Sequence, residues 1–332
     1  MSLDVDQAHD VALRALESWD LEVGALSLLK LSENQTFRLD TPTGERFVVR
    51  VHRPGYSTRT ELESEHMWID SLNESGFGVP IPVPAANGSG YVEVGSADGP
   101  RQVGVITWID GDSMADVLDA TDDQATAASM FEQLGAQMAQ LHNQTEAWVP
   151  PAEFTRRRWD LEGLLGESAH WGRFWAVPQL TTRTTDVIVT TRNELAQRIG
   201  SFDDGDSSFG LIHADLHAEN VLVSPNGLVV IDFDDSGYGW HMYDFAVAMS
   251  SQLGTSDFDA SLAAVVEGYR SSRDLDAEIL ATVRDFIMLR TLVTIGWIND
   301  RPELDGYDYL ERYIDRAVGR CERYLAGGPI NG

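Results

Sequence analysis

The sequence predicts an α+β chain in two parts: a small N-terminal part with a five-stranded antiparallel sheet and one helix, and a larger, mostly helical C-terminal part. Three observations carry this. Short β-rich runs separated by turn residues fill most of the first hundred residues, and apolar residues then recur near the helical period of about 3.6 in six later segments. Ile109-Asp-Gly111 marks the change of character. A length of 332 residues, 43% of them hydrophobic, supplies cores for two domains, placed at 1–109 and 110–332.

Asp4 to Trp19 opens the chain with Val11, Leu13, Leu16 and Trp19 at helical spacing. Strand patterns follow at Gly24 to Lys30, Thr36 to Asp40 and Arg46 to His52, the last two joined by Thr41-Pro-Thr-Gly44. Thr58 to Asn73 is helical through Leu62, Met67, Ile69 and Leu72, and the Gly/Pro-bearing stretch Gly76 to Pro84 stops it. Tyr91 to Val94 and Gln102 to Trp108, paired around Ser96-Ala-Asp-Gly99, complete the sheet. Further on, helices are predicted over Met130 to His142, Thr182 to Ile199, Tyr243 to Leu253, Ala260 to Arg270, Ala277 to Trp297 and Leu310 to Leu325. Strand signals in this half are confined to Gly210 to His213, Val221 to Val223 and Leu228 to Phe233, with Pro225-Asn-Gly227 turning the last two.

Lys and Arg number 24 against 53 Asp and Glu, a net charge of −29 that repels polyanions at long range, so neither nucleic acid nor a membrane is an expected partner. The same charge would attract a cationic substrate or simply hydrate the surface, and the second reading is preferred. Cys321 is the one cysteine, so no intrachain disulfide can form and a reducing cytoplasm is the expected setting. The opening MSLDVDQAHD lacks the basic and apolar regions of an export signal, and no stretch reaches the roughly 18 apolar residues of a membrane span. Oligomeric state leaves no mark in the sequence.

The most informative stretch is His213-Ala-Asp215-Leu-His217-Ala-Glu-Asn220, followed after a β-turn-β pattern by Ile231-Asp232-Phe233-Asp234-Asp235. An Asp separated from an Asn by four residues, then an Asp ending a hydrophobic strand, is the catalytic spacing of protein kinases. Phosphoryl transfer needs a carboxylate to orient the acceptor hydroxyl and oxygen ligands to hold magnesium against the phosphates. Asp215 suits the first task; Asn220 and Asp232 suit the second.

These residues resemble the aminoglycoside phosphotransferase and choline kinase superfamily. The wording Asp232-x-Asp234-Asp235-x-x-x-Gly239 with Tyr243-Asp244 is similar to the stress-response kinase and type II homoserine kinase branches. The shared motifs span residues 210 to 245, and the order of elements extends the likeness over most of the chain. The resemblance implies a two-lobed protein-kinase-like fold, ATP and Mg2+ as cofactors, and direct transfer of the γ-phosphoryl group to an alcohol. It also implies that Asp244 buttresses the catalytic loop through backbone amides, although an acid at a helix N-terminus needs no such role. His213 is expected to pack the loop. His217, Asp235 and Trp159 are candidates for acceptor contacts, with plain surface exposure equally open for His217.

Phe47-Val-Val-Arg50 stands where a kinase carries its β3 lysine, and Glu65, fifteen residues on, is the expected ion-pair partner. Arg50 in place of lysine keeps the charge but is longer and planar, and a surface strand cation is the other reading. The first hairpin, Leu31-Ser32-Glu-Asn34-Gln-Thr36, has no glycine-rich loop. The resemblance suggests that Ser32, Asn34 and backbone amides cover the phosphates there, while the composition alone indicates only a turn. Thr107, Trp108 and Ile109 are expected to meet the adenine edge, though a buried edge strand reads the same way. Leu134, Met138 and Leu141 belong first to the core.

Arg156-Arg-Arg158, Trp159, Trp171, Phe174 and Trp175 form an aromatic and basic cluster. Nucleic-acid stacking does not fit the net charge. An acceptor-recognition segment and a packed insertion both remain. The acceptor is left open among a protein Ser or Thr, homoserine, an amino sugar and other amine-bearing alcohols, as is ATP against GTP. The rival function is a nucleotide-binding pseudokinase adaptor, favoured by Arg50 and the missing glycine loop and opposed by the retention of Asp215, Asn220 and Asp232.

Overall fold

The computed structural model describes residues 3–31, 34–202, 208–302 and 305–331. The chain forms two compact units, Met1–Asp110 with Pro150–Arg156, and Gly111–Val149 with Arg157–Gly332. The fold is α+β, as expected.

In the first unit, α1 (Val5–Leu16) starts at a capping box: the Asp4 carboxylate accepts from the Gln7 amide, and the Gln7 side chain accepts from the Asp4 amide. Next come β1 (Ala25–Leu31), β2 (Gln35–Asp40), β3 (Arg46–Val51), α2 (Arg59–Glu74), β4 (Tyr91–Ser96) and β5 (Gly99–Thr107). The strands make one antiparallel sheet in the order β1-β2-β3-β5-β4. Alternation along β2 buries Phe37 and Leu39, which join Val49, Val51, Val103 and Val105 against Val11, Ala12 and Ala15 of α1. Thr58 and Glu61 form a second capping box that fixes where α2 begins, and with it the position of Glu65.

The second unit opens with β6 (Asp112–Ser113), α3 (Met114–Asp119), α4 (Gln124–Ala147), β7 (Arg158–Trp159), α5 (Leu161–Leu165) and α6 (Thr182–Ile199). It continues with β8 (Phe209–Ile212), β9 (Val221–Ser224), β10 (Gly227–Val230), β11 (Gly237–Trp240), α7 (His241–Ala248), α8 (Phe258–Arg270), α9 (Ala277–Ala281), α10 (Val283–Asn299) and α11 (Leu310–Leu325). Two small sheets, β10-β9-β6 and β7-β11-β8, sit among the helices. Helices α4 and α8 approach backbone to backbone: a Cβ on Gly135 would lie 2.0 Å from the Val265 oxygen, and one on Gly268 would lie 1.8 Å from the Glu132 oxygen.

Several boundaries differ from expectation. The helix expected over Ala277 to Trp297 is two, divided at Thr282, and the one expected from Tyr243 begins at His241 and ends at Ala248. The strand expected to reach Phe233 stops at Val230, because Asp232 adopts φ +66°, a left-handed conformation that no strand residue takes. Among the described residues, no helix is long and apolar enough to cross a membrane. Cys321 is buried, and burial pushes its thiol up to about 11, far from thiolate reactivity.

Candidate active site

The loop after β8 carries Asp215, and the first turn of α7 holds that loop in place. Asp244, fully buried, accepts the His213 amide on Oδ2 at 3.1 Å and the Ala214 amide on Oδ1 at 2.8 Å. These bonds fasten Ala214 at φ +64°, a conformation that costs a residue with a Cβ about 1–2 kcal/mol. Burial pushes the Asp244 carboxyl up to about 6, although His213 and the two amides act in the opposite sense. His142 Nε2 lies 3.1 Å from Asp244 Oδ2, and His142 Nδ1 lies 2.9 Å from the Tyr269 hydroxyl. Burial holds His142 well below its ordinary value, so the ring is neutral; its Nε2–H donates to Asp244 and Nδ1 accepts from Tyr269. Asp244 is therefore a buttress, and not merely an acid at a helix start.

Asp215 is held at both oxygens. Its Oδ1 accepts from Arg290 Nη2 at 2.8 Å, and its Oδ2 accepts from Asn220 Nδ2 at 2.9 Å and meets His217 Nε2 at 3.2 Å. Burial alone would raise this carboxyl, but the His217 imidazole and then the Arg290 guanidinium hold it well below the usual carboxylate range. Reciprocally, Asp215 raises His217 against the effect of burial. Arg290, from α10, lies over the Trp171 ring at 4.5 Å and donates to the Tyr243 hydroxyl at 3.4 Å. Helical periodicity assigns α10 to the core and passes over Arg290. The available signal is a single cation inside the apolar run Phe286-Ile-Met-Leu-Arg290-Thr-Leu-Val.

Backbone bonds bring Asp232 to the same loop. Ile231, its neighbour, donates its N–H to the Asn220 carbonyl at 2.9 Å, and the Ile231 carbonyl lies 3.0 Å from His213 Nε2. His213 thus packs the loop, as expected, with its ring 4.8 Å from that of Phe233. Because Asn220 Nδ2 donates to Asp215, Asn220 Oδ1 is turned away from that carboxylate. An amide oxygen and a carboxylate are the hard oxygen donors that magnesium takes, and magnesium fills its remaining positions with water and phosphate oxygens. Among the described residues no group of three or more His, Cys, Asp or Glu side chains forms a metal cluster, at this site or any other, so a metal here would rest on the Asn220 amide oxygen and the Asp232 carboxylate.

The other candidates fall into two groups. Asp235 pairs with Arg157 at 3.4 Å, and its carbonyl accepts the Trp159 indole N–H at 2.7 Å. Trp159 is 0% exposed, with its ring stacked 6.2 Å from that of Tyr243. Arg156, Trp171 and Phe174 are buried too, and Arg192 lies 3.9 Å over Trp175, so these members of the aromatic and basic stretch pack, while the Arg158 side chain is 48% exposed. In the first unit, Arg50 Nη1 donates to Glu65 Oε1 at 3.3 Å, with side chains only 9% and 1% exposed, so Arg50 is no surface cation. Arg156 Nη1 stands 3.8 Å from the second Glu65 oxygen. Asn34 is buried, and its Oδ1 accepts the Arg53 amide at 3.1 Å. Ser32 lies outside the described residues. Thr107 exchanges bonds with Ile81, Trp108 Nε1 donates to Asp110 at 3.0 Å beneath Arg38 and Arg46, and Ile109 is half-buried.

Residues 27–279 match the phosphotransferase enzyme family. The solved microcompartment-associated aminopropanol kinase is 31% identical, with 96% of this chain and 98% of that chain covered and a TM-score of 0.85. The amicoumacin kinase hAmiN, solved with AMP-PNP, Ca2+ and Ami, shares the fold at a TM-score of 0.78, with 22% identity over 96% of this chain and 94% of that one. The amicoumacin kinase of Bacillus subtilis (strain 168) is 25% identical over 254 residues, 74% of this chain and 71% of that protein.

Proposed function

The chain belongs to the phosphotransferase enzyme family, and from that premise we propose that it transfers the γ-phosphoryl group of ATP directly to the hydroxyl of a small amine-bearing alcohol. The observation that carries this is the Asp215 carboxylate, kept ionised by Arg290, His217 and Asn220 on a loop pinned by Asp244. A carboxylate held so far below the usual range is a weak base. Its task is then to orient the hydroxyl and take its proton late, as the new P–O bond forms and the bond to the ADP oxygen breaks, which suits a loose transition state. Asn220 and Asp232 would hold Mg2+, which when bound supplies charge neutralisation at the phosphates. Arg50, steadied by Glu65, would grip the phosphates together with Ser32 and Asn34, and Thr107, Trp108 and Ile109 would meet the adenine. On this reading residues 1–109 serve the nucleotide and 110–332 the acceptor.

The likeness to an aminopropanol kinase supports an amine on the acceptor. The lone, buried Cys321 accords with a cytoplasmic setting. The test offers Mg-ATP with 3-aminopropan-1-ol, an amino sugar, L-homoserine and a Ser/Thr peptide. ADP formation is expected to depend on an acceptor and to stop when EDTA removes the metal. Thermal stabilisation by Mg-ATP without transfer to any acceptor, water included, would instead favour the adaptor reading.

A further inference from the structure

A cavity of about 420 Å³ in the second unit is bounded by His217 and Arg290, two side chains whose nitrogens contact the Asp215 carboxylate. Tyr309, Tyr313, Arg316 and Arg320, on and just before α11, also line it, and Glu219 is the one carboxylate among its lining residues. Arg290 is taken up by Asp215. Arg316 and Arg320 are not so occupied: among the described residues neither is paired with a carboxylate, and the Arg320 Nε–H is shut off from solvent without an acceptor. Arg316 rests 5.2 Å over the Tyr309 ring.

In a chain with 53 acidic residues against 24 basic ones, two guanidinium groups that line one cavity with no carboxylate paired to either among the described residues run against the composition. Holding cations together, one of them half-buried, is unfavourable unless an anion joins them. Burial draws Arg320 below its ordinary value, as do the neighbouring cations Arg323 and Arg316, with Tyr313 and Tyr309 acting in the opposite sense. A planar guanidinium matches a carboxylate in a two-pronged contact.

We propose that Arg316 and Arg320 bind a carboxylate on the acceptor, so that the phosphorylated alcohol is a hydroxy amino acid and not a simple aminoalcohol. This rests on the phosphotransfer reading above and narrows its substrate class. The alcohol end would then lie toward Asp215 and the acid end toward α11.

The test uses two matched pairs that differ only by a carboxylate: L-homoserine against 3-aminopropan-1-ol, and L-threonine against 1-aminopropan-2-ol. Each is titrated calorimetrically into the full chain with Mg-AMP-PNP present. In at least one pair the carboxylate member is expected to bind at least about tenfold tighter, the worth of one charge-assisted hydrogen bond. That gain should vanish in Arg316→Gln and in Arg320→Gln and survive in part in Arg320→Lys. Arg316 is exposed, so Arg316→Gln serves even if Arg320→Gln fails to fold. The proposal is overturned if the decarboxylated member binds as tightly in both pairs, if neither member of either pair binds, or if the gain survives in Arg316→Gln. Turnover of aminoalcohols at equal rates would remove the carboxylate claim alone, whereas undiminished transfer by Asp215→Asn would remove the phosphotransfer reading beneath it.

Discussion

Replacing Asp244 with Asn tests how the loop that presents Asp215 is held. The carboxylate accepts two amides on separate oxygens, at 3.1 and 2.8 Å, in a fully buried position. Asn keeps one oxygen and aims an N–H at the other amide, so one buried donor loses its acceptor at a cost of about 1–3 kcal/mol. The substitution also removes a group that burial has pushed from 3.8 up to about 6. A folded-state value above the unfolded one means that the fold favours the neutral acid: this contribution is complete below pH 3.8 and is lost as pH rises through 6. Two units at about 1.4 kcal/mol each put the cost of ionising Asp244 in place on the order of 3 kcal/mol above pH 6. Asn escapes that cost. Asp244→Asn is therefore expected to be less stable than the parent at pH 4, with the deficit shrinking, or reversing, by up to about 3 kcal/mol at pH 7. At the same time Ala214 is freed to leave φ +64°, Asp215 shifts, and kcat at pH 7 should fall about 10- to 100-fold. Urea unfolding of both proteins at pH 4, 5, 6 and 7, with kcat alongside, reads both effects. A stability difference that stays constant over this range, or an unchanged kcat, refutes the buttress.

Arg50→Ala takes from Glu65, 1% exposed, its partner at 3.3 Å and leaves it Arg156 at 3.8 Å, and should cost about 1–3 kcal/mol in chemical unfolding while raising KM for ATP at least about tenfold. Arg50→Lys should recover part of both, and a KM untouched by Arg50→Ala would separate this residue from the nucleotide. Gly268→Ala would place a Cβ 1.8 Å from the Glu132 carbonyl, where the contact is with backbone and no side chain can turn aside, so α4 and α8 must part. A loss of about 3 kcal/mol is expected; a melting temperature equal to the parent's would show the helices to be farther apart than described.

The sheet of the first unit is legible because each strand is bounded by turn residues, and because Thr58 and Glu61 announce where the following helix starts. Asp215, Asn220 and Asp232 are legible because phosphoryl transfer ties residue type to spacing. Arg290 is hidden for a physical reason: it meets Asp215 across 75 positions of chain, on a helix whose other residues read as core. The two-residue strands β6 and β7 are too short to show a period, and β11, Gly237-Tyr-Gly-Trp240, carries none of the β-branched residues that mark strands. The end of β10 depends on the left-handed backbone at Asp232, which no apolar pattern encodes. The basic residues at 156 to 158 suggest recognition on composition, yet Arg156 and Arg157 are buried in internal ion pairs, whereas the two arginines that line the cavity without a carboxylate partner among the described residues lie on α11.

That the Asp215 carboxylate aligns the acceptor is tested most directly by the rate of γ-phosphoryl transfer from saturating Mg-ATP in the wild type and in Asp215→Asn. Asn keeps an oxygen for Arg290 and the size of the side chain while removing the charge. Transfer is expected to fall about 10²- to 10⁴-fold with the dissociation constant for Mg-ATP unchanged. Turnover within a few-fold of the wild type would contradict it.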